Sequence, residues 1–189
     1  MNARFNWHHM VLAACIGLGS TVAAHAQKVK LSTTAGDIVV QLDAEKAPKT
    51  VANFLQYVKE GQYTDTVFHR VIGTFMIQGG GMTADLTEKP TRAPIPLESG
   101  NGLKNDRGTI AMARTNVPNS ATAQFFINVG DNAPLNASQP GVDGYAVFGK
   151  VVSGMDVVDK IRAVKTTRKG HHGDVPVEPI TIKKATLEK

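Results

Sequence analysis

The chain has 189 residues, a length that suits one folded unit and leaves little room for two. Apolar residues make up 42% and charged residues 20%, which excludes a disordered, collagen-like or coiled-coil chain. One Cys excludes a disulfide scaffold, and a net charge of +5 comes without the dense Lys/Arg run that a nucleic-acid partner would need.

Residues 1–26 read as a secretory signal peptide. Arg4 carries their only formal charge, residues 10–24 are mostly apolar or small, and Ala24-His25-Ala26 supplies a small-x-small cleavage pattern before Gln27. An apolar run of about 15 residues is short for a membrane span, which needs roughly 20. The alternatives are an uncleaved anchor, or a lipoprotein built on Leu12-Ala13-Ala14-Cys15. Against the second, the apolar stretch before Cys15 is very short and continues well past it. Cleavage leaves residues 27–189, with net charge +4 and neither Cys nor Trp, since Cys15 and Trp7 depart with the leader. Thiol catalysis, thiolate metal sites and disulfides are then impossible. The expected location is the periplasm, with no stable membrane association after cleavage.

The mature chain has no internal repeat or composition break, so one domain is expected over 27–189. Two β-type runs, 29–33 and 38–42, flank Ala35-Gly36-Asp37 and predict a hairpin. Residues 47–60 predict a helix, with Pro48 in its first turn and Gly61 at its stop. Val51, Phe54, Leu55 and Val58 fall at i, i+3, i+4 and i+7, one apolar stripe. Short β-like runs follow at 66–72, 75–78, 109–113, 124–129 and 145–152. A second helix is expected over 155–164 and a closing strand over 179–182. The pattern predicts a mostly-β closed sheet with helices over its ends, closure removing free edges. The irregular stretches 79–107 and 131–144 are long enough to be functional.

The densest chemistry lies in Phe68-His69-Arg70-Val71-Ile72 and Phe75-Met76-Ile77-Gln78-Gly79-Gly80-Gly81. As one strand, 68–72 would place Phe68, Arg70 and Ile72 on one face and His69 and Val71 on the other. Met76 and Gln78 share a face, as do Gln124 and Phe126. Together they describe an apolar patch with neutral hydrogen-bonding groups and one cation, suited to binding a ring and orienting an amide. The plainer reading is an Arg at a barrel rim and a Gln satisfying a turn. Other candidates are weaker. His171-His172-Gly173-Asp174 is a poor metal motif, so no metal or other cofactor is expected. The Gly run after Gln78 lacks the Lys-Ser/Thr ending of a phosphate loop. Ser120, His69 and Asp106 lack nucleophile-elbow spacing. Asn136-Ala137-Ser138 matches a glycosylation sequon.

At these residues the chain closely resembles the cyclophilin family of peptidyl-prolyl cis-trans isomerases, in its bacterial periplasmic branch. The matching text includes Val51-Ala52-Asn53-Phe54-Leu55, Phe68 to Ile72, Phe75 to Gly80, Gly108 to Arg114, Ser120 to Asn128 and Tyr145 to Val152. The resemblance implies a closed eight-stranded antiparallel β-barrel capped by two α-helices, with its site on the outer face. It implies Arg70 as the catalytic residue, and Phe75, Met76, Phe126 and Leu135 as the proline pocket. It implies Gln78 and Gln124 as holders of the peptide backbone, Ala113, Arg114 and Thr115 as a neighbouring wall, and Tyr145 where the best-known eukaryotic members carry a pocket His. Those members also place a Trp, a contact of cyclosporin, where this chain has Pro134; weak inhibition is therefore expected. Their Pro-Gly turn is here Gly73-Thr74.

The implied activity is Xaa-Pro isomerisation in unfolded exported proteins, with proline-containing segments as partners and a monomer as the default. The alternative is a chaperone or adaptor that grips proline segments and turns them over incidentally. An unrelated barrel hydrolase is remote, because no acid/base constellation is present.

Overall fold

The computed structural model describes residues 27–137 and 142–188. The leader, Ser138 of the sequon and the remaining residues lie outside that range. The chain opens with strands β1 (Lys28–Thr33) and β2 (Gly36–Leu42), then helix α1 (Pro48–Lys59). Strands β3 (Thr66–Val67), β4 (Arg70–Ile72), β5 (Met76–Gly79), β6 (Thr109–Met112) and β7 (Phe125–Asn128) follow. After a 3-10 turn at Ala133–Leu135 come β8 (Val147–Ser153), α2 (Met155–Arg162), β9 (Thr166–Lys169), β10 (His172–Pro176) and β11 (Thr181–Glu188).

Nine strands form one antiparallel sheet in the order β3-β11-β1-β2-β8-β6-β7-β5-β4. Its two end strands are consecutive in the chain, separated only by Phe68 and His69. The sheet therefore curls until its ends are joined by the chain itself. Counted as two halves of one interrupted strand, β3 and β4 bring the sheet to the expected eight. Sequence reading had one strand over 66–72; the structure breaks it. The Phe68 N–H leaves for the Ile180 carbonyl at 2.9 Å, and the break changes which face each residue takes. Phe68 enters the main core beside Val71, while Arg70 and Ile72 face the other way. Phe68 and Arg70 thus do not share a face.

The inner face carries the core. Tyr63, Phe125 and Phe148 pack on Phe54 of α1, Tyr57 meets Tyr63, and Phe68 meets Phe125, with ring centroids about 5–6 Å apart in tilted and edge-on pairs. Val51, Phe54 and Val58 are buried as the stripe predicted, with Leu55 packed against them. The first turn of α1 is capped from afar: the Glu98 carboxylate accepts from the Lys49 N–H (3.1 Å), the Thr50 N–H (2.8 Å) and the Thr50 hydroxyl (2.7 Å). A carboxylate there satisfies free helix N–H groups and complements the dipole. Helix α2 ends two residues earlier than expected and carries Asp156 at its start and Lys160 and Arg162 at its end.

Two further departures stand out. The hairpin β9–β10 was not expected; it forms its own two-stranded sheet and packs on β4. The closing strand is longer than 179–182 and runs to Glu188, pairing with β1 along its length.

Candidate functional site

Cross-strand register assembles the site. Arg70 stands opposite Gln78, Gln78 opposite Phe126, Phe126 opposite Ala111, and Ala111 opposite Val147. Directly opposed residues share a face, so this row lies on one side of the sheet. The next row, Val71, Ile77, Ile127 and Ile110, takes the other side and belongs to the core. One alternating pattern thus builds both the barrel interior and an outer groove.

A second apolar cluster lies under the groove. Met76, Ala111, Phe126 and Val147 are buried in it, with Ile72, Phe75, Ala113, Leu135 and Tyr145 packed around them. Above it opens a cavity of about 110 Å³ lined by Arg70, Phe75, Met76, Gln78, Ala113, Arg114, Phe126, Leu135 and Tyr145. That is far below the roughly 300–1,000 Å³ of clefts for drug-sized ligands, and suits one small ring. No carboxylate lines it. A larger cavity of about 720 Å³, between Gln41–Glu45 and Leu103–Thr109, contains none of the expected site residues.

Of the eleven residues expected here, nine line this cavity. Gln124 stands beside it: the Gln78 amide donates to the Gln124 Oε1 at 2.9 Å, which fixes both side chains. Gly81 makes room for that arrangement, since a Cβ there would lie 2.3 Å from Gln124 Cγ. Thr115 is exposed, with its N–H and hydroxyl both engaged with the Ser120 hydroxyl at 2.9 Å. The Ala113 N–H donates to the Gln124 carbonyl. Two backbone donors of the wall are therefore already committed.

Arg70, half-buried at the start of β4, forms no ion pair among the described residues. Its donors face a cavity without an acid. Arg114 is differently held. Its guanidinium lies 4.7 Å over the Tyr145 ring, and its Nε donates to the Gly144 carbonyl at 3.0 Å. Tyr145 in turn meets Phe126 edge-on at 5.6 Å.

Sequence reading missed a set of buried asparagines that positions the pocket. Asn132 donates to the Phe75 carbonyl (2.8 Å) and to Asn128 (2.6 Å). Asn128 donates to Asn105 (3.2 Å) and Thr109 (2.9 Å). Asn105 donates to the Leu135 carbonyl (3.1 Å), and the Tyr145 N–H donates to the same carbonyl (2.9 Å). Buried amides satisfied by one another hold a loop in one geometry. No spacing signal marks them, because isolated asparagines in loops are ordinary.

The weaker candidates separate. The Ser120 hydroxyl donates to the Val117 carbonyl at 2.7 Å, whereas His69 is buried with its Nδ1 unpartnered, so no Ser–His pair exists. Burial, chiefly, and the nearby His172 lower the His69 pKa to about 4, against a hydrogen bond to the Val67 backbone. The His171 and His172 rings lie 4.0 Å apart on the hairpin. No group of three or more metal-ligating side chains occurs among the described residues. In the sequon, Asn136 already accepts from the Asn105 N–H at 2.7 Å.

The family model for cyclophilin type peptidyl-prolyl cis-trans isomerases matches residues 28–187. The chain is 58% identical over 161 residues to the peptidyl-prolyl cis-trans isomerase cyp18 of Streptomyces antibioticus, covering 84% of this chain and 97% of that one. It is 55% identical over 163 residues to peptidyl-prolyl cis-trans isomerase B of Escherichia coli, covering 85% and 99%. A solved cyclophilin type isomerase of Cryptosporidium parvum superposes with a TM-score of 0.73 at 27% identity, over 87% of this chain and 99% of that one.

Proposed function

This chain belongs to the cyclophilin-type peptidyl-prolyl cis-trans isomerases, and on that premise we propose that Arg70 is its catalytic residue and the 110 Å³ cavity its proline pocket. One observation carries the assignment: Arg70, Gln78 and Phe126 stand in a single cross-strand row over a small apolar cavity free of acids.

Rotation about an Xaa-Pro bond breaks amide resonance, a barrier of about 18–20 kcal/mol. In the twisted state the proline nitrogen becomes pyramidal and gains a lone pair. A guanidinium is charged at every accessible pH, and Arg70 has donors left to offer that lone pair. The planar amide has no such acceptor, so the bond strengthens only as the barrier is climbed, which is how binding becomes rate. Phe75, Met76, Phe126, Leu135 and Tyr145 hold the ring and exclude water, so the developing charge is met in a weakly screened site. Gln78 and Gln124, locked together, present fixed amide groups to the flanking backbone. No proton or group is transferred, and the residues suffice without a cofactor.

We also read residues 1–26 as an export leader and the working place as the periplasm, where the substrates are proline-containing segments of unfolded exported proteins. The Arg70→Ala enzyme tests the site. Loss of a charged hydrogen bond made only in the twisted state removes about 1.5–3 kcal/mol, roughly 10–150-fold in kcat/KM on an Xaa-Pro peptide. Unchanged turnover by the folded variant removes Arg70 from this role.

A further inference from the structure

Phe75 lines the groove from the turn between β4 and β5, and the bonds that hold that turn come from outside the cavity. The Phe75 N–H donates to the Ile72 carbonyl at 2.9 Å, closing a turn whose middle residues are Gly73 and Thr74. A glycine there leaves the backbone loosely restrained. Helix α2 packs on β4 and β5 and supplies the restraint. The Arg162 Nη1 donates to the Gly73 carbonyl at 3.0 Å, while its Nε donates to the Asp159 carboxylate at 2.7 Å. The same carboxylate reaches Phe75 by a second route. The Arg107 Nη2 donates to both Asp159 oxygens, at 3.0 and 2.8 Å, and its Nη1 donates to the Val129 carbonyl at 2.9 Å. The Val129 N–H in turn donates to the Phe75 carbonyl at 3.1 Å. One carboxylate thus orients two guanidinium forks, one on the turn before Phe75 and one on the residue that binds its carbonyl. Gly73 must be bare for this, since a Cβ there would lie 2.7 Å from the Arg162 carbonyl oxygen. Asp159, Arg107 and Arg162 do not themselves line the cavity.

We propose that Asp159 is a positioning residue for the isomerase: through Arg162 and Arg107 it fixes the turn at 72–75, and with it the Phe75 wall of the proline pocket. The proposal rests on the groove assigned above and ties that groove to a charged site on α2. Phe75 packs on the proline ring whether the amide is planar or twisted. It therefore supplies uniform binding, which appears in KM rather than in kcat. The three side chains are between 37% and 41% exposed, so truncating one opens no hole in the core. Exposed ion pairs add little to stability, whereas a displaced binding group is felt directly by the substrate. Asp156 provides the contrast. It lies in the first turn of the same helix, is more exposed, and has Lys160 as its one ion-pair partner among the described residues.

Separate kcat and KM values on an Xaa-Pro peptide, measured beside urea unfolding, test this. Asp159→Ala should raise KM about three- to tenfold with kcat within about twofold. Arg162→Gln leaves the Arg107–Asp159 pair in place and should raise KM in the same direction. Combining the two should add little, because they act as one unit. Asp156→Ala should weaken the same helix with KM unchanged. If Asp159→Ala does not fold, Arg162→Gln and the Asp156→Ala control carry the test. An unchanged KM in either folded variant, an equal rise in Asp156→Ala, or fully multiplying rises in the double variant overturns the proposal. Phe75→Ala separates the two readings. A raised KM there, with none in Asp159→Ala, removes only the role of Asp159. An unchanged KM in Phe75→Ala removes the pocket assignment and this proposal with it.

Discussion

Acidification should destabilise this protein through His69 as pH falls from about 6.5 toward 4. The side chain is 5% exposed, its Nδ1 has no partner, and its pKa in the fold is about 4 against 6.5 when free. A proton there must enter an apolar seam beside Arg70. The folded pKa is the lower one, so the stabilisation is complete above pH 6.5 and is lost as pH falls toward 4. At about 1.4 kcal/mol per unit, the loss is about 1 kcal/mol by pH 6, about 2 by pH 5 and about 3 by pH 4. Urea unfolding of wild-type protein and His69→Phe, followed at intervals from pH 7 to 4, isolates it. Asp85 and Asp159, held below the usual carboxylate range by Thr83 and Arg107 respectively, titrate in both proteins and cancel from the difference. The wild type should lose about 3 kcal/mol more than the variant over that range, whatever the variant's stability at pH 7. Parallel losses, or an imidazole that titrates near 6.5 by NMR in the native state, would refute the reasoning.

Three other outcomes are expected. Asn105→Ala leaves the Asn128 amide short of one partner and the Leu135 carbonyl with one donor fewer; it should cost about 1–3 kcal/mol by denaturant unfolding and raise KM more than it lowers kcat. Cyclosporin should bind weakly, since the position before Leu135 is an exposed proline and the only Trp of the chain is Trp7; submicromolar affinity by calorimetry contradicts this. Intact mass of protein recovered from the periplasm should match a chain starting at Gln27, and retention of Trp7 in that material would remove the leader assignment.

Much of this architecture was legible because alternation and helical spacing are local. The stripe on α1, the apolar positions of β5 and β7 and the glycine stop at Gly61 each follow from residues within one or two turns of the chain. The groove was legible for the same reason, since residues of one parity face outward on adjacent strands. What escaped reading depends on distant partners. The break at Phe68-His69 is set by Ile180, more than a hundred residues away. Glu98 caps a helix that starts 50 residues earlier. The β9 strand, Thr166-Thr167-Arg168-Lys169, has no apolar alternation and stands only because it pairs with β10. The asparagines under the pocket look like loop residues until the loop closes on them.

The pairing of β1 with β11 has a consequence for how the chain is made. Lys28 stands opposite Glu188, and β11 lies between β1 and β3. The first strand synthesised therefore waits for the last. Until residues 181–188 emerge, β1 and β3 each present an open edge. Pairing across the whole length of a chain is slow in any case, because the longest loop must be closed. The native sheet therefore becomes available only once residues 181–188 are free to pair with β1 and β3.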